Sequence, residues 1–581
     1  MNSEPMSANK DELAVKPRSQ GIFPISATTW LIISGLLMSV IFHMAFATRY
    51  SLSNDADKPL QSIATLNNFS ADGAFLYVAG FAALFGLYWL AMRYGMRPPT
   101  QTQWLLVGVF ALSFNILLLP MYPADAADIY DYILRGRMSA TYKLNPMVDT
   151  PNEIATDPFY DFAAPTWHNS PSAYGPAWEM LAAVGSRITG DENIPNVIIF
   201  KLISVIGYAL TALFIGLTLR FVAPRRALVG VTLFAWNPLV VYMTAGTGHN
   251  DAVMTACIAL SIYCLMRRWY VGSTVAAVLG ALVKFIPILL VPIIAIVALR
   301  QLRGSTRLRY LALSALLCTV LVVSIYGPFW NGMSTLGIDR RTGLYTGSVE
   351  TLARQTLGPL LDGQIGSPSQ TPNTNQVITL AVLVLFGAFY VNQLWRIYSA
   401  SLAADPVYPV RTIAYVLLFY LLVTCTWFQP WYVLWVVPLA ALLDNTPLRR
   451  LIVYYSYFAT WQSFLYNYVT LRPSGFAPLP WRDLLPIAVV QFTAWACVIF
   501  NIFSTWARRT TRKPLTIAVG TRLSEGRKAA HLTLTQVADR LNWRTDDLLA
   551  YERGERAMPI DRAWDIEQVL DLERGQLLKG L

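Results

Sequence analysis

Charge is what this chain has least of. Asp, Glu, Lys and Arg make up 14% of its 581 residues, against roughly 25% in ordinary soluble domains, which excludes a freely soluble globular enzyme. Cysteine is scarce as well: Cys257, Cys264, Cys318, Cys425 and Cys497 fall within or beside apolar runs and show no metal-ligand spacing. They imply neither a disulfide framework nor a metal site. Matching interruptions in two halves of the chain, the mark of repeat-built secondary transporters, are also missing.

Apolar residues, 55% of the total, are what the chain has most of. Runs of about 17–25 residues, long enough to span a bilayer, recur from Thr29 to Trp506 and read as about twelve full crossings plus one broken pair. The expected fold class is therefore all-α. A polytopic helical bundle covers 28–506, with a polar tail at 1–27, a basic juxtamembrane linker at 507–515 and a small soluble helical domain at 516–581. The first run ends in Ala45-Phe46-Ala47, like a signal-peptidase site, but its length and its long polar head favour an uncleaved first span.

Basic residues set the expected orientation. The connections at 93–97, 220–226, 267–268, 300–309, 396–411, 449–450 and 508–513 are Arg-rich, and the positive-inside rule places them in the cytoplasm. Both termini then lie inside, and the chain is a multi-pass protein of the cell membrane. The segment 121–193 faces outward, with ten acidic against four basic residues, a net of −6. Between Arg268 and Arg300 the chain leaves and returns in about thirty residues, too few at 1.5 Å each for two spans. Lys284 sits near the turning point, either as a functional charge or as a lysine that snorkels or pairs with a buried carboxylate.

Several outward elements could meet over one cavity: the long acidic loop, the turn Gly246-Thr-Gly-His-Asn-Asp251, the 330–375 loop, the turn Trp427-Phe-Gln-Pro-Trp-Tyr432, and the segment from Arg472 to Arg482. The acidic loop, at about seventy residues, is too long for a mere connector. In it Asp125, Asp128 and Asp131 lie at i, i+3 and i+6, so in a helix Asp125 and Asp128 would share a face. Carboxylates beside apolar walls can act as general bases, arginines can clamp a phosphate, and aromatic side chains such as Trp167, Tyr174, Trp427 and Trp431 can stack on sugar faces. The plainer readings are an N-cap for Asp125, a hydrogen-bonded turn for His249 and Asp251, and interface anchors for the aromatics.

One set of motifs carries a resemblance over residues 28–506. It comprises Asp128-Ile-Tyr-x-Tyr-x-x-x-Gly-Arg137, Asn145-Pro146, Tyr174-Gly-Pro176, Trp236-Asn-Pro238, Gly248-His-Asn-Asp251, Leu282-Val-Lys-Phe285 with Pro287, and Gln429-Pro-Trp-Tyr432. In this order the set resembles the polyprenyl-phosphate-sugar-dependent glycosyltransferases of the GT-C superfamily, in particular the bacterial α-mannosyltransferase-like members. The resemblance implies transfer of a hexose, mannose by kinship, from a polyprenyl-phosphate donor to a glycan or glycolipid acceptor at the outer face, with inversion. It implies Asp128 as general base and, since many relatives have two adjacent acids where this chain has Ala127-Asp128, Asp125 as the second candidate. Arg135, Arg137, His249, Asp251, Lys284, Arg340, Arg341, Arg472, Trp431 and Tyr432 are the implied donor-binding positions. No metal and no cofactor beyond the lipid-linked donor are implied. A transporter and a ligase of finished glycans are the competing readings.

Beyond Lys513 the pattern turns soluble. Leu534-Thr-Gln-Val-Ala-Asp-Arg-Leu541, then Thr545 to Tyr551, Glu552-Arg-Gly-Glu-Arg556 and Pro559, resembles the Cro/repressor-type helix-turn-helix family. That resemblance implies a second helix near Thr535 and a recognition helix near Thr545. Residues 514–581 hold ten Lys and Arg against eleven Asp and Glu, with Asp546 and Asp547 on the recognition helix. This balance favours protein–protein contact or a degenerate regulatory module over sequence-specific DNA binding.

Overall fold

The computed structural model describes residues 26–578 apart from 60, 95–98, 126, 338–346, 362–371, 403–404, 445, 471–483, 542, 544, 556–557, 559 and 574. Among these the chain is helical throughout, without a β-strand, and only two isolated bridges occur, Ser51 with Met121 and Asn331 with Met333. Two compact units are present, Met1–Ala494 and Trp495–Leu581.

Among the described residues of the first unit, six helices are long and apolar enough to cross a membrane: Ala27–Ala47, Ala71–Arg93, Gln101–Leu118, Asn193–Val222, Ser305–Phe329 and Thr374–Ser399. They leave large apolar side chains such as Leu36, Val40, Leu105, Ile116, Val323 and Val384 uncovered, as suits a lipid-facing surface. A seventh candidate, Pro224–Ala235 with Pro238–Gly246, is bent by 53°. The bend follows from its sequence. Pro238 has no N–H to continue the preceding helix, and Asn237 caps the new one by accepting from the Leu239 and Val240 amides at 3.1 and 3.3 Å.

The count therefore differs from the expected twelve. The remaining apolar runs form helices of 10–17 residues, among them Asp251–Met266, Tyr270–Val283, Tyr408–Thr424 and Pro430–Leu442. Hydropathy does not register where Pro287, Pro430 or a π-helical turn such as Tyr420–Thr424 interrupts a run. The stretch between Arg268 and Arg300 is one such case. Its helices Tyr270–Val283 and Leu290–Gln301 are 14 and 12 residues long, or about 21 and 18 Å, short of the ~30 Å hydrocarbon core. Lys284 stands at the break in extended backbone.

The acidic loop is a folded layer. Its helices Ala127–Ala140 and Pro176–Thr189 approach so closely that a Cβ on Gly136 would lie 2.4 Å from the Ala182 carbonyl oxygen. Arg137 ties the intervening turns together: its Nε donates to both Asp157 oxygens at 3.0 and 2.8 Å, and its Nη1 reaches Gly190 O and Asp191. At Gly175 the loop meets the Lys284 break. The Gly175 amide donates to Val283 O at 3.0 Å, and any side chain there would collide with the Leu282 carbonyl. Tyr174 and Lys284 are thereby brought together.

In the second unit, the C-terminal part of helix Thr493–Ala529 precedes Leu534–Leu541, Thr545–Glu552 and Ile560–Val569. Leu523, Val537, Leu548, Tyr551, Ile566 and Leu570 form their core. Thr533 and Gln536 make reciprocal capping bonds at the first short helix. Arg527 clamps Glu552 at 2.5 and 3.1 Å. The helices expected near Thr535 and Thr545 begin at Leu534 and Thr545.

Candidate active site

A cavity of about 250 Å³ opens where the acidic loop, the Lys284 break and the aromatic segment 420–435 converge. Asp128, Asp131, Arg135 and Lys284 supply its charges, and Trp167, Tyr174, Trp427, Trp431, Tyr432 and Trp435 most of its wall.

The acids come from one helix. It starts at Ala127, so Asp128 and Asp131, at i and i+3, both reach the cavity. This corrects the expected pairing of Asp125 with Asp128. Asp125 precedes the helix, has a left-handed backbone (φ 61°) and is not part of the cavity wall. Its Oδ1 accepts from the Ile63 amide at 3.1 Å and from Asn467 Nδ2 at 2.5 Å, while its buried Oδ2 has no partner. It caps the Ile63–Leu66 turn instead of its own helix. Burial pushes the Asp125 carboxyl up to about 7, against those two hydrogen bonds.

The two acids in the cavity differ in what holds them. Both Asp131 oxygens accept from Arg135 Nε, at 2.9 and 2.8 Å. Asp128 has only phenol partners, with Tyr132 Oη at 3.5 Å and a hydrogen bond from Tyr174. Burial pushes Asp128 up to about 6; the Lys284 charge and the Tyr174 bond oppose the rise and Asp131 adds to it. A carboxylate with lone pairs free and a pKa just below neutrality is suited to take a proton.

Lys284 is paired after all. Its Nζ donates to both oxygens of the fully buried Asp251 at 2.9 and 3.0 Å, and Trp435 Nε1 donates to the same carboxylate at 2.5 Å. Tyr432, Trp435 and Tyr174 enclose the ammonium at 4.4, 5.6 and 5.8 Å from their ring centres. His249, beside Asp251 in the chain, stacks on Trp431 at 3.9 Å and bonds Thr247 Oγ1 through Nδ1 at 2.9 Å; its Nε2 has no partner. His249 and Asp251 thus back the cavity, and Arg137 lies away from it, holding the loop. Arg340, Arg341 and Arg472 lie outside the described residues.

Sequence reasoning passed over Trp435, Glu179 and Lys201, and named Asp131 and Arg135 without pairing them. Trp435 follows the aromatic turn by one more helical step, a signal that was present. Asp131 and Arg135 at i, i+4 form a pair that spacing allows but does not dictate. Glu179, buried behind Arg135, accepts from Ser172 Oγ at 2.5 Å, and burial pushes it up to about 7 against the Arg135 charge. Lys201 carried the same signal as Lys284, a charge within an apolar run, and was missed: its ammonium donates to Leu119 O and Met121 O and so fixes the entry to the acidic loop. Among the described residues, no group of three or more His, Cys, Asp or Glu side chains is arranged to hold a metal ion, and none of the five cysteines forms a disulfide.

Comparison with known proteins adds the following. Over 399 residues the chain is 23% identical to alpha-(1->6)-mannopyranosyltransferase B of Corynebacterium glutamicum, covering 62% of this chain and 63% of that one. To alpha-(1->6)-mannopyranosyltransferase A of the same organism it is 22% identical over 205 residues, 34% of this chain and 40% of that protein. To the corresponding enzyme A of Mycobacterium tuberculosis it is 22% identical over 280 residues, 46% and 51%. The chain thus spans less than two thirds of the length of each of these curated relatives. No solved structure matches. Residues 31–300, which carry Asp128, Asp131, Arg135, Asp251 and Lys284, match the family model described as "Alpha-(1->6)-mannopyranosyltransferase, N-terminal domain".

Proposed function

We propose that this chain is an integral-membrane hexosyltransferase, a mannosyltransferase by its likeness to the alpha-(1->6)-mannopyranosyltransferases, using a polyprenyl-phosphate hexose. The acceptor is a glycan or glycolipid at the outer face of the cell membrane. The observation that carries this reading is the convergence of Asp128, held only by phenols, with a caged Lys284 and eight aromatic side chains on one cavity. Asp128 accepts the proton of the acceptor hydroxyl as its oxygen attacks the anomeric carbon. The bond from that carbon to the phosphate oxygen breaks, its electron pair leaves with the polyprenyl phosphate, and configuration inverts. Lys284 lies beside the leaving phosphate and exchanges part of its hold on Asp251 for it; Arg340, Arg341 and Arg472 remain candidates for the same anion.

Outward placement of the acidic loop explains the lipid-linked donor, since nucleotide sugars are cytoplasmic. In this topology the shorter apolar helices outside 268–300 complete the about twelve crossings, both termini are cytoplasmic, and 516–581 is a helix-turn-helix-like module that contacts a protein or serves as a degenerate regulatory module. The test is a donor screen with purified protein in lipid. Transfer from a polyprenyl-phosphate hexose is expected; turnover of a nucleotide sugar without lipid carrier would refute the reading, as would labelling that places the 121–193 loop inside.

A further inference from the structure

Resting on that reading, we infer that Trp167 and Trp427 form the acceptor subsite, and that it takes the ring of an uncharged hexoside, not a phosphorylated sugar. The two side chains come from segments 260 residues apart and meet edge to face with centroids 5.8 Å apart on the cavity wall, both part-exposed. They form a wall separate from the Tyr432, Trp435 and Tyr174 rings around Lys284.

Each is held by its backbone, leaving its ring unclaimed by hydrogen bonds. Arg135 Nη2 donates to Trp167 O at 3.4 Å and Ser170 O at 3.0 Å. On the other side, Cys425 Sγ donates to Trp427 O at 3.3 Å, and Ser348 Oγ to Thr426 O at 3.0 Å. Among the described residues, two side chains that line the cavity each carry a buried donor without a partner, Arg135 Nη1 and Trp431 Nε1, on residues only 2% and 7% exposed. A buried donor without a partner is unfavourable, and a sugar hydroxyl would satisfy each.

Charge decides which sugar. Of the two cations of the described cavity, Arg135 is neutralised by Asp131, and Lys284 is taken by Asp251 and, in the proposed reaction, by the donor phosphate; neither is left for a second anion, and Asp128 adds a negative charge. An anionic acceptor beside Asp128 would be repelled, whereas an uncharged ring presents C–H groups to aromatic faces and hydroxyls to the two spare donors. The acceptor hydroxyl must also lie within hydrogen-bond reach of its base, which places this ring in the part of the cavity that Asp128 lines.

The experiment measures equilibrium binding of a methyl dimannoside and of mannose 6-phosphate to the full chain in lipid discs without donor, then transfer kinetics with donor. Wild type should bind the dimannoside and discriminate against the phosphate. Trp427→Ala and Trp167→Ala should each weaken dimannoside binding and raise its KM about tenfold, the worth of one aromatic contact, with the donor KM little moved. Trp427→Phe, which keeps a ring face, should recover most of the loss, as a merely misfolded variant would not. Equal binding of the phosphate, an unmoved acceptor KM in the alanine variants, or a donor KM that rises instead would overturn the inference. Dimannoside binding that depends on the tryptophans without any hexose transfer would support the subsite and refute the proposed reaction.

Discussion

Asp125 and Asp128 are three residues apart, carry the same group and flank the start of one helix, yet they end in different surroundings. Asp125 lies before the helix in left-handed backbone and is bonded to two distant segments through Ile63 and Asn467. Asp128 lies inside the first turn of the helix and faces a cavity with only phenols at hand. Spacing nominates carboxylates; the residue at which a helix starts decides which of them faces the cavity and which fastens distant segments.

The largest effect expected is on rate. Asp128→Asn should lower hexose transfer by about 10²–10⁴-fold while the protein still folds, as membrane assays and size-exclusion profiles would register; near-normal turnover would put the base elsewhere. Next comes the Lys284–Asp251 pair. Lys284→Met leaves a buried carboxylate unpaired and should destabilise the unit by about 3–5 kcal/mol, with Lys284→Met/Asp251→Asn recovering most of it in thermal melts. Asp125→Asn, by contrast, should keep most activity and lose about 1–3 kcal/mol of stability.

Acidity separates the two carboxylates further. A carboxyl whose folded pKa is raised to about 7 holds its proton more tightly than in the unfolded chain, where it titrates near 4. Its contribution is therefore full at low pH and declines as pH climbs from about 4 to 7. Asp125→Asn should flatten that slope of stability against pH. For Asp128 the readout is catalytic: a base works deprotonated, so kcat/KM should fall with acid below about pH 6. Tyr174→Phe removes a bond that favours the carboxylate and should move this limb upward; a downward move would contradict the arrangement. The smallest effect belongs to the C-terminal unit. Among the described residues the cavity is lined only by ones between Asp128 and Trp435, so truncation after Pro514 should leave transfer by the purified protein nearly intact.

The legible part of this molecule was what periodicity and chain punctuation encode. Asp128, Lys284 and the Trp431–Tyr432 turn stood out because charge or a Pro-aromatic cluster interrupts an apolar run, and all four residues line one cavity. The spans were harder, since hydropathy sums over a window and does not sense that Pro238 or a π turn has divided a helix. Pairing was hardest. That Asp251 would neutralise Lys284, that Arg137 would spend its charge on Asp157, and that Asp125 would cap Ile63 are contacts between segments up to 62 residues apart, set by packing and invisible to local spacing.

The central claim, that Asp128 removes the acceptor proton, is tested most directly with azide in place of the sugar acceptor in Asp128→Asn. Azide has no proton to lose, so it needs no base to attack the anomeric carbon and displace polyprenyl phosphate. The variant should remain inactive toward a hexoside yet turn over donor to a glycosyl azide of inverted configuration. Unrescued donor turnover, with donor binding intact, would show that Asp128 serves something other than proton removal.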